Sequence, residues 1–243
     1  MSNYKALDTD KIIKTVSNLS KRISERFPES GLSGVCKQLL DISYHAKART
    51  EAILKPIIWV RALNIFLIAI IVVTVIGAGI RFQLSVEGMH FFDFVQALEA
   101  GMNDVVLIGA GIFFLVTTER RIKRGRALDA LNELRSIAHV IDMHQLTKDP
   151  ERSMRRGSST ESSPKDSLSP YQLERYLDYC SEMLSLTGKL AALYIRDLDD
   201  SVVLQSVTEI ENLTTALSQK IWQKIMILNE SVLLSEQKSE GLD

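Results

Sequence analysis

The chain has 243 residues, a formal net charge of −1, and 46% hydrophobic against 24% charged residues. Near-neutrality argues against a general nucleic-acid surface, which needs a basic excess, and the bulk numbers match a soluble average, so any membrane character must lie in the order of the residues. With only 12 Gly and 5 Pro and little strand-like alternation, the expected class is all-α.

The first 30 residues carry charges throughout and lack the apolar stretch of a secretory signal. Ile12, Val16, Leu19, Ile23 and Phe27 recur at spacings of 4, 3, 4 and 4, with Asp8 or Thr9 placed to cap the start. Pro28 and the Glu-Ser-Gly after it end that helix. A second begins near Ser33, carries Val35, Leu39, Leu40 and Ile42, and runs almost to Pro56. Residues 1–56 thus read as cytoplasmic N-terminal helices.

Ala62 to Ile80 is 19 residues without a charge, rich in Ile, Val and Leu. At about 1.5 Å rise per residue such a run matches a hydrocarbon core of about 30 Å. Arg61 and Arg81 flank it, and Pro56 and Trp59 precede it, Trp being suited to the bilayer interface. A first transmembrane helix is expected over 57–81 and an extracytoplasmic loop over 82–96. Val105 to Thr118 gives only 14 apolar or weakly polar residues; extension backwards through Ala97 makes a second span over 97–118.

The spans repeat a short string, Val75-Ile76-Gly77-Ala78-Gly79-Ile80 and Leu107-Ile108-Gly109-Ala110-Gly111-Ile112. Small residues let helices approach closely in lipid, so Gly77, Ala78, Gly79, Gly109, Ala110 and Gly111 are expected at transmembrane packing surfaces. Lys47, Arg49, Lys55 and Arg61 lie before the first span, and Arg120, Arg121, Lys123, Arg124 and Arg126 after the second. The segment between holds Arg81 against Glu87, Asp93, Glu99 and Asp104. The asymmetry predicts both termini in the cytoplasm and, for a bacterial cell, insertion in the inner membrane.

The second span is expected to continue as a cytoplasmic helix over 119–148, with Leu128, Leu131, Leu134, Ile137, Ala138 and Ile141 on one side. A disordered Ser-rich linker is expected over 149–169; its Arg155-Arg156-Gly157-Ser158 string would suit a basophilic kinase. Ser169, Pro170 and Gln172 form a helix start with a capping box. Leu173, Leu177, Cys180, Leu184, Thr187, Ala191 and Tyr194 then follow as an a/d seam. After a turn over 197–200, a second seam runs through Val203, Val207, Ile210, Thr214, Leu217 and Ile221 and shifts phase to Ile225, Leu228 and Val232. Residues 170–234 read as a coiled-coil-like helical hairpin, or as a site of pairing with other subunits or a cytoplasmic protein partner. Tyr176 and Trp222 are expected in the core or seam, and residues 235–243 as a flexible tail.

Three polar sets are weighed for chemistry. Arg135, His139, Asp142 and His144 lie on the helix leaving the membrane; His139 and Asp142 share a face, but His139 and His144, five apart, do not. A polar helix face explains them as well as a metal site. The acids of Asp197 to Asp200 lack the loop of a calcium site and read as a solvated turn. Glu99, Asn103 and Asp104 stand at the edge of the second span; ionisable groups in lipid are costly and mark ion paths, so these are candidates for one. Cys36 and Cys180 lack metal-ligand spacing and read as buried, reduced thiols. No catalytic set, metal or cofactor is expected.

The string Leu131-Asn-Glu-Leu-Arg-Ser-Ile-Ala-His-Val-Ile-Asp-Met-His-Gln-Leu-Thr-Lys-Asp-Pro150 resembles a segment of bacterial two-span membrane proteins of unknown function. The layout over roughly residues 31 to 145 is also similar to the SLATT-type two-span effectors of bacterial defence islands, a likeness that implies a membrane pore. From the residues themselves the leading expectation is a non-enzymatic, membrane-anchored helical oligomer acting as scaffold or regulator. A pore or ion-transport subunit built from oligomerised hairpins stands beside it.

Overall fold

The computed structural model describes residues 7–85, 91–150, 161, 168–196 and 198–240, with side chains described at all of these except 54, 78, 81–85, 93, 94, 97 and 235–240. Among them the regular structure is α-helix, with no strand. The helices are α1 (Thr9–Arg26), α2 (Gly31–Leu54), α3 (Ile58–Ser85), α4 (Phe91–Leu146), α5 (Pro170–Ala192) and α6 (Ser201–Glu240). The chain forms two compact units, one of residues 1–54 with 126–243 and the other of residues 55–125. The second is therefore an insertion into the first.

The larger unit is a helical bundle. Asp8 caps α1, its carboxylate accepting from the backbone N–H of Asp10 at 3.0 Å and Lys11 at 3.3 Å. Ile12, Val16, Leu19 and Ile23 are buried along one side, as the spacing predicts. α1 stops at Arg26, Phe27 takes a non-helical conformation, and Glu29 turns the chain with φ 56°. The α5 start has its capping box: the Ser169 hydroxyl accepts from Gln172 N–H at 3.2 Å and the Gln172 side chain accepts from Ser169 N–H at 3.0 Å. The predicted seam residues of α5 through Ala191 are buried, Tyr194 is buried in the turn past the helix end, the seam residues of α6 are buried through Leu228, and the two helices pack together. Asp200 begins α6 by accepting from Val202 N–H at 3.0 Å.

Periodicity gave no indication that the N-terminal helices join this same core. Phe27 meets the Tyr176 ring edge-on at 5.5 Å and Tyr179 at 6.3 Å. Arg22 pairs with Glu182 at 2.5 Å, and the Arg26 guanidinium lies 5.4 Å from the centre of the Tyr171 ring. The distal part of α4 contributes Ala127, Ala130, Leu131, Leu134, Ile137, Ala138 and Ile141 to the core, and pairs through Glu133 with Arg49 and through Arg135 with Glu209. Trp222 departs from expectation. It follows the seam residue Ile221 by one position, about 100° round the helix, and is 62% exposed.

The inserted unit holds α3 and the first part of α4, two helices long and apolar enough to cross a membrane, with none of their apolar stretches buried within the chain. Successive residues Val105, Val106 and Leu107 are all exposed. A helix apolar all round is suited to an apolar solvent. α3 extends to Ser85 and α4 starts at Phe91, beyond the expected span limits on both sides. Residues 86–90, with Glu87, lie outside the described residues, as do the side chains of Arg81 and Asp93, Asp197, and most of the 149–169 segment including Ser158.

Candidate functional site

The most organised polar cluster of the inserted unit surrounds Glu119, one turn beyond the apolar stretch of α4. Arg61 at the start of α3 donates to Glu119 Oε2 from Nε at 2.7 Å and to Oε1 from Nη2 at 3.3 Å. Lys123 reaches Oε1 at 3.0 Å from the next turn of α4, and the Ile57 N–H donates to it at 3.4 Å. One turn along α3, Asn64 Nδ2 donates to the Leu115 carbonyl at 2.6 Å. Three residues forward on α3 thus correspond to four backward on α4, an antiparallel register at this end. Glu119 is the only acid between Val105 and Leu128, and a carboxylate held by two cations is a strong pair because its hydrogen bonds are charge-assisted. Its role was not anticipated; the available signal was a lone acid at the head of a basic run.

The glycines present open faces. A Cβ built at Gly77, Gly79, Gly109 or Gly111 meets no described atom within 4 Å. Ala110 is exposed, and the Ala78 side chain lies outside the described residues. Residues two apart on a helix point about 200° apart, so Gly109 and Gly111 offer close approach on nearly opposite sides, as do Gly77 and Gly79. Glu99, Asn103 and Asp104 are exposed on α4 within the single chain.

Arg135, His139, Asp142 and His144 do not converge. Arg135 pairs with Glu209, and His139 is exposed. Asp142 accepts from Gln145 Nε2 at 2.6 Å. The His144 ring packs on Gly31, where a Cβ would come 2.4 Å from its Cε1, which is why the second helix opens on glycine. Among the described residues no group of three or more His, Cys, Asp and Glu side chains is placed to hold a metal ion.

A different set gathers at the end of α4. Lys224 of α6 donates from Nζ to the Gln145 carbonyl at 2.8 Å and the Lys148 carbonyl at 3.2 Å, a cation on the negative end of the helix. The Lys148 ammonium lies 5.2 Å from the centre of the Tyr176 ring, and Tyr176 donates to the His144 carbonyl at 3.4 Å. Burial lowers the Lys224 pKa, against the nearby Asp149 and Asp142. Burial also pushes the Cys180 thiol up to about 12. The signal in the sequence was the 4-3 seam of α6, which continues from Ile221 onto Lys224. A lysine at a seam position needs acceptors, and the free carbonyls of a helix end supply them.

An open groove of about 600 Å³ runs between α1, α5 and α6, with Lys11, Thr15, Asp178, Glu182, Lys189 and Trp222 among its lining residues. Its charges are mixed. Comparison with known protein families, curated proteins and solved structures gives no match for the chain.

Proposed function

We propose that this is a non-enzymatic protein of the bacterial inner membrane, anchored by a transmembrane hairpin of α3 and α4 and assembling into an oligomer that acts as a scaffold or regulator on the cytoplasmic side. The observation that carries the reading is α4, one unbroken helix from Phe91 to Leu146. Its first part is apolar all round, and its last part is built into the bundle core.

The insertion supports two crossings. Chain that leaves a folded body at residue 54 and rejoins it at 126 must return to the side it left, so the number of crossings is even. The basic residues before α3 and after the apolar stretch of α4 support the cytoplasm as that side. The seams of α5 and α6 are filled within one chain, so the open glycine faces of α3 and α4 are the better candidates for assembly. Glycines on opposite sides of each helix suit a partner on one side and a second copy on the other. The purified chain in mild detergent should be a dimer or larger by light scattering. Gly109→Leu with Gly111→Leu should shift it towards monomer without disturbing its own fold, since neither position has a described neighbour to displace. A wild-type particle that is monomeric at all concentrations would sink the assembly.

A second reading, an ion-conducting pore of oligomerised hairpins, is supported by Glu99, Asn103 and Asp104, polar groups exposed on an otherwise apolar helix. Vesicles holding the protein should then pass cations, and Glu99→Gln with Asp104→Asn should reduce cation preference. An inserted oligomer that passes no ions leaves the scaffold.

A further inference from the structure

We infer that the Glu119 end of the inserted unit is a binding surface for anionic phospholipid headgroups. The inference rests on the reading of α3 and α4 as membrane-spanning. Lys55 stands just before α3 and Arg61 in its first turns, and Arg120, Arg121 and Lys123 follow one another on α4, with Glu119 as the only acid of that α4 stretch. That acid is engaged by Arg61 at 2.7 Å and Lys123 at 3.0 Å, and it is outnumbered by the bases around it. Arg120 and Arg121 are exposed, and the Arg121 guanidinium lies 5.4 Å from the centre of the Phe114 ring, one turn into the apolar stretch.

The level of this belt is set by the pairing itself. Ile57 and Arg61 both touch Glu119, so Trp59 between them sits at the height where the basic run of α4 begins. Trp59 is 87% exposed. An exposed indole beside exposed guanidiniums, at the point where apolar surface gives way to charge, matches the headgroup layer, where Trp is enriched and basic clusters attract acidic lipid. An acidic protein partner would account for the arginines but not for the Trp or for the all-round apolar surface next to it. Guanidinium forks also suit a phosphodiester, which they engage through two parallel N–H donors.

The test uses the full chain in vesicles of phosphatidylcholine and phosphatidylglycerol, each lipid spin-labelled in turn, with the immobilised fraction read by electron paramagnetic resonance. Phosphatidylglycerol should be preferred several-fold at about 10 mM salt and the preference should approach one at about 1 M, as the screening length falls from about 30 Å to about 3 Å. Arg120→Gln with Arg121→Gln should cut the low-salt preference by half or more, while Arg120→Lys with Arg121→Lys retains most of it. Equal immobilisation of the two lipids at low salt, or a preference that the glutamine variant leaves unchanged, would overturn the inference. Alkaline carbonate extraction of the same vesicles separates the two failures. A chain that is extracted refutes the bilayer reading and this one with it, whereas an inserted chain without lipid preference refutes only the headgroup surface.

Discussion

The bundle is expected to unfold cooperatively as the pH is raised from 9 towards 12, because its core holds acids that an unfolded chain would ionise. Cys36 and Cys180 are fully buried, and burial is the leading cause that raises Cys36 from 9.0 to about 11 and Cys180 from 9.0 to about 12. Tyr194 is pushed from 10.0 to about 12, again chiefly by burial, and Tyr176 moves the same way. Each of these groups binds its proton more tightly when folded. Their contribution is therefore fully present below pH 9 and is lost as the pH rises through the folded values. At full alkalinity the loss is on the order of 5–10 kcal/mol, comparable to the whole stability of a domain.

Neighbouring charges modify this without reversing it. The thiol of Cys36 is held down somewhat by a Ser20 hydrogen bond and by Arg22, and raised further by Glu182. Lys224 and Lys148 favour the Cys180 thiolate, but burial outweighs both. Lys224 itself runs the other way: its folded pKa lies below the ordinary 10.5, so its share of stability grows as the pH passes through that range. It is one half-buried group against four buried acids. Circular dichroism of the protein in detergent across pH 8 to 12 follows the transition. Cys36→Ala with Cys180→Ala should cost some stability at pH 7 and yet flatten the slope between pH 9 and 12. An unchanged slope would mean that the thiols are not the groups that drive it.

The helical class was legible in the sequence because a 3.6-residue period survives wherever a helix has one wet face and one dry one. Val16, Leu19 and Ile23, or Leu177, Cys180 and Leu184, need only be counted. The Ser169 capping box was legible for the same local reason, since two residues three positions apart specify it. What could not be read was which dry faces meet. Phe27 carries no mark that points to Tyr176, nearly 150 residues away, and the pairs Arg22–Glu182 and Arg49–Glu133 look like any solvated charges until the chain is folded. Two isolated helical regions and one bundle interrupted by an insertion share the same periodicity.

The candidate sites divide along the same line. Arg135, His139, Asp142 and His144 suggested a cluster because they are near in sequence, but a helix turns successive residues by about 100° and each found its own partner or solvent. Glu119 and Lys224 went unnoticed because each matters through residues from another helix. Lys224 left a faint trace, a charge on a seam position. Glu119 left another, a single acid ahead of five bases.

Replacing Leu134 by Ala should lower the stability of the bundle by about 2–5 kcal/mol, a shift in melting temperature on the order of 10 °C for a unit of this size. Leu134 is fully buried on α4, among Ala130, Leu131, Ile137 and Ala138 of the same stripe. Met143 lies on the same helix, two turns further on, and is 66% exposed; Met143→Ala should change the melting temperature by no more than a degree or two, since a solvated side chain gives up little on truncation. The comparison tests more than a cavity. Leu134 belongs to the same helix as the exposed residues Val105 to Leu107, and the sequence offers no Gly-Pro break between them. If the end of α4 were only a solvated stalk leaving the membrane, Leu134→Ala would match Met143→Ala, and the protein would be a tether with a separate head. A large difference between the two means that the end of α4 is packed into a protein core on one side at Leu134, while Val105 to Leu107 of the same helix are exposed on successive sides.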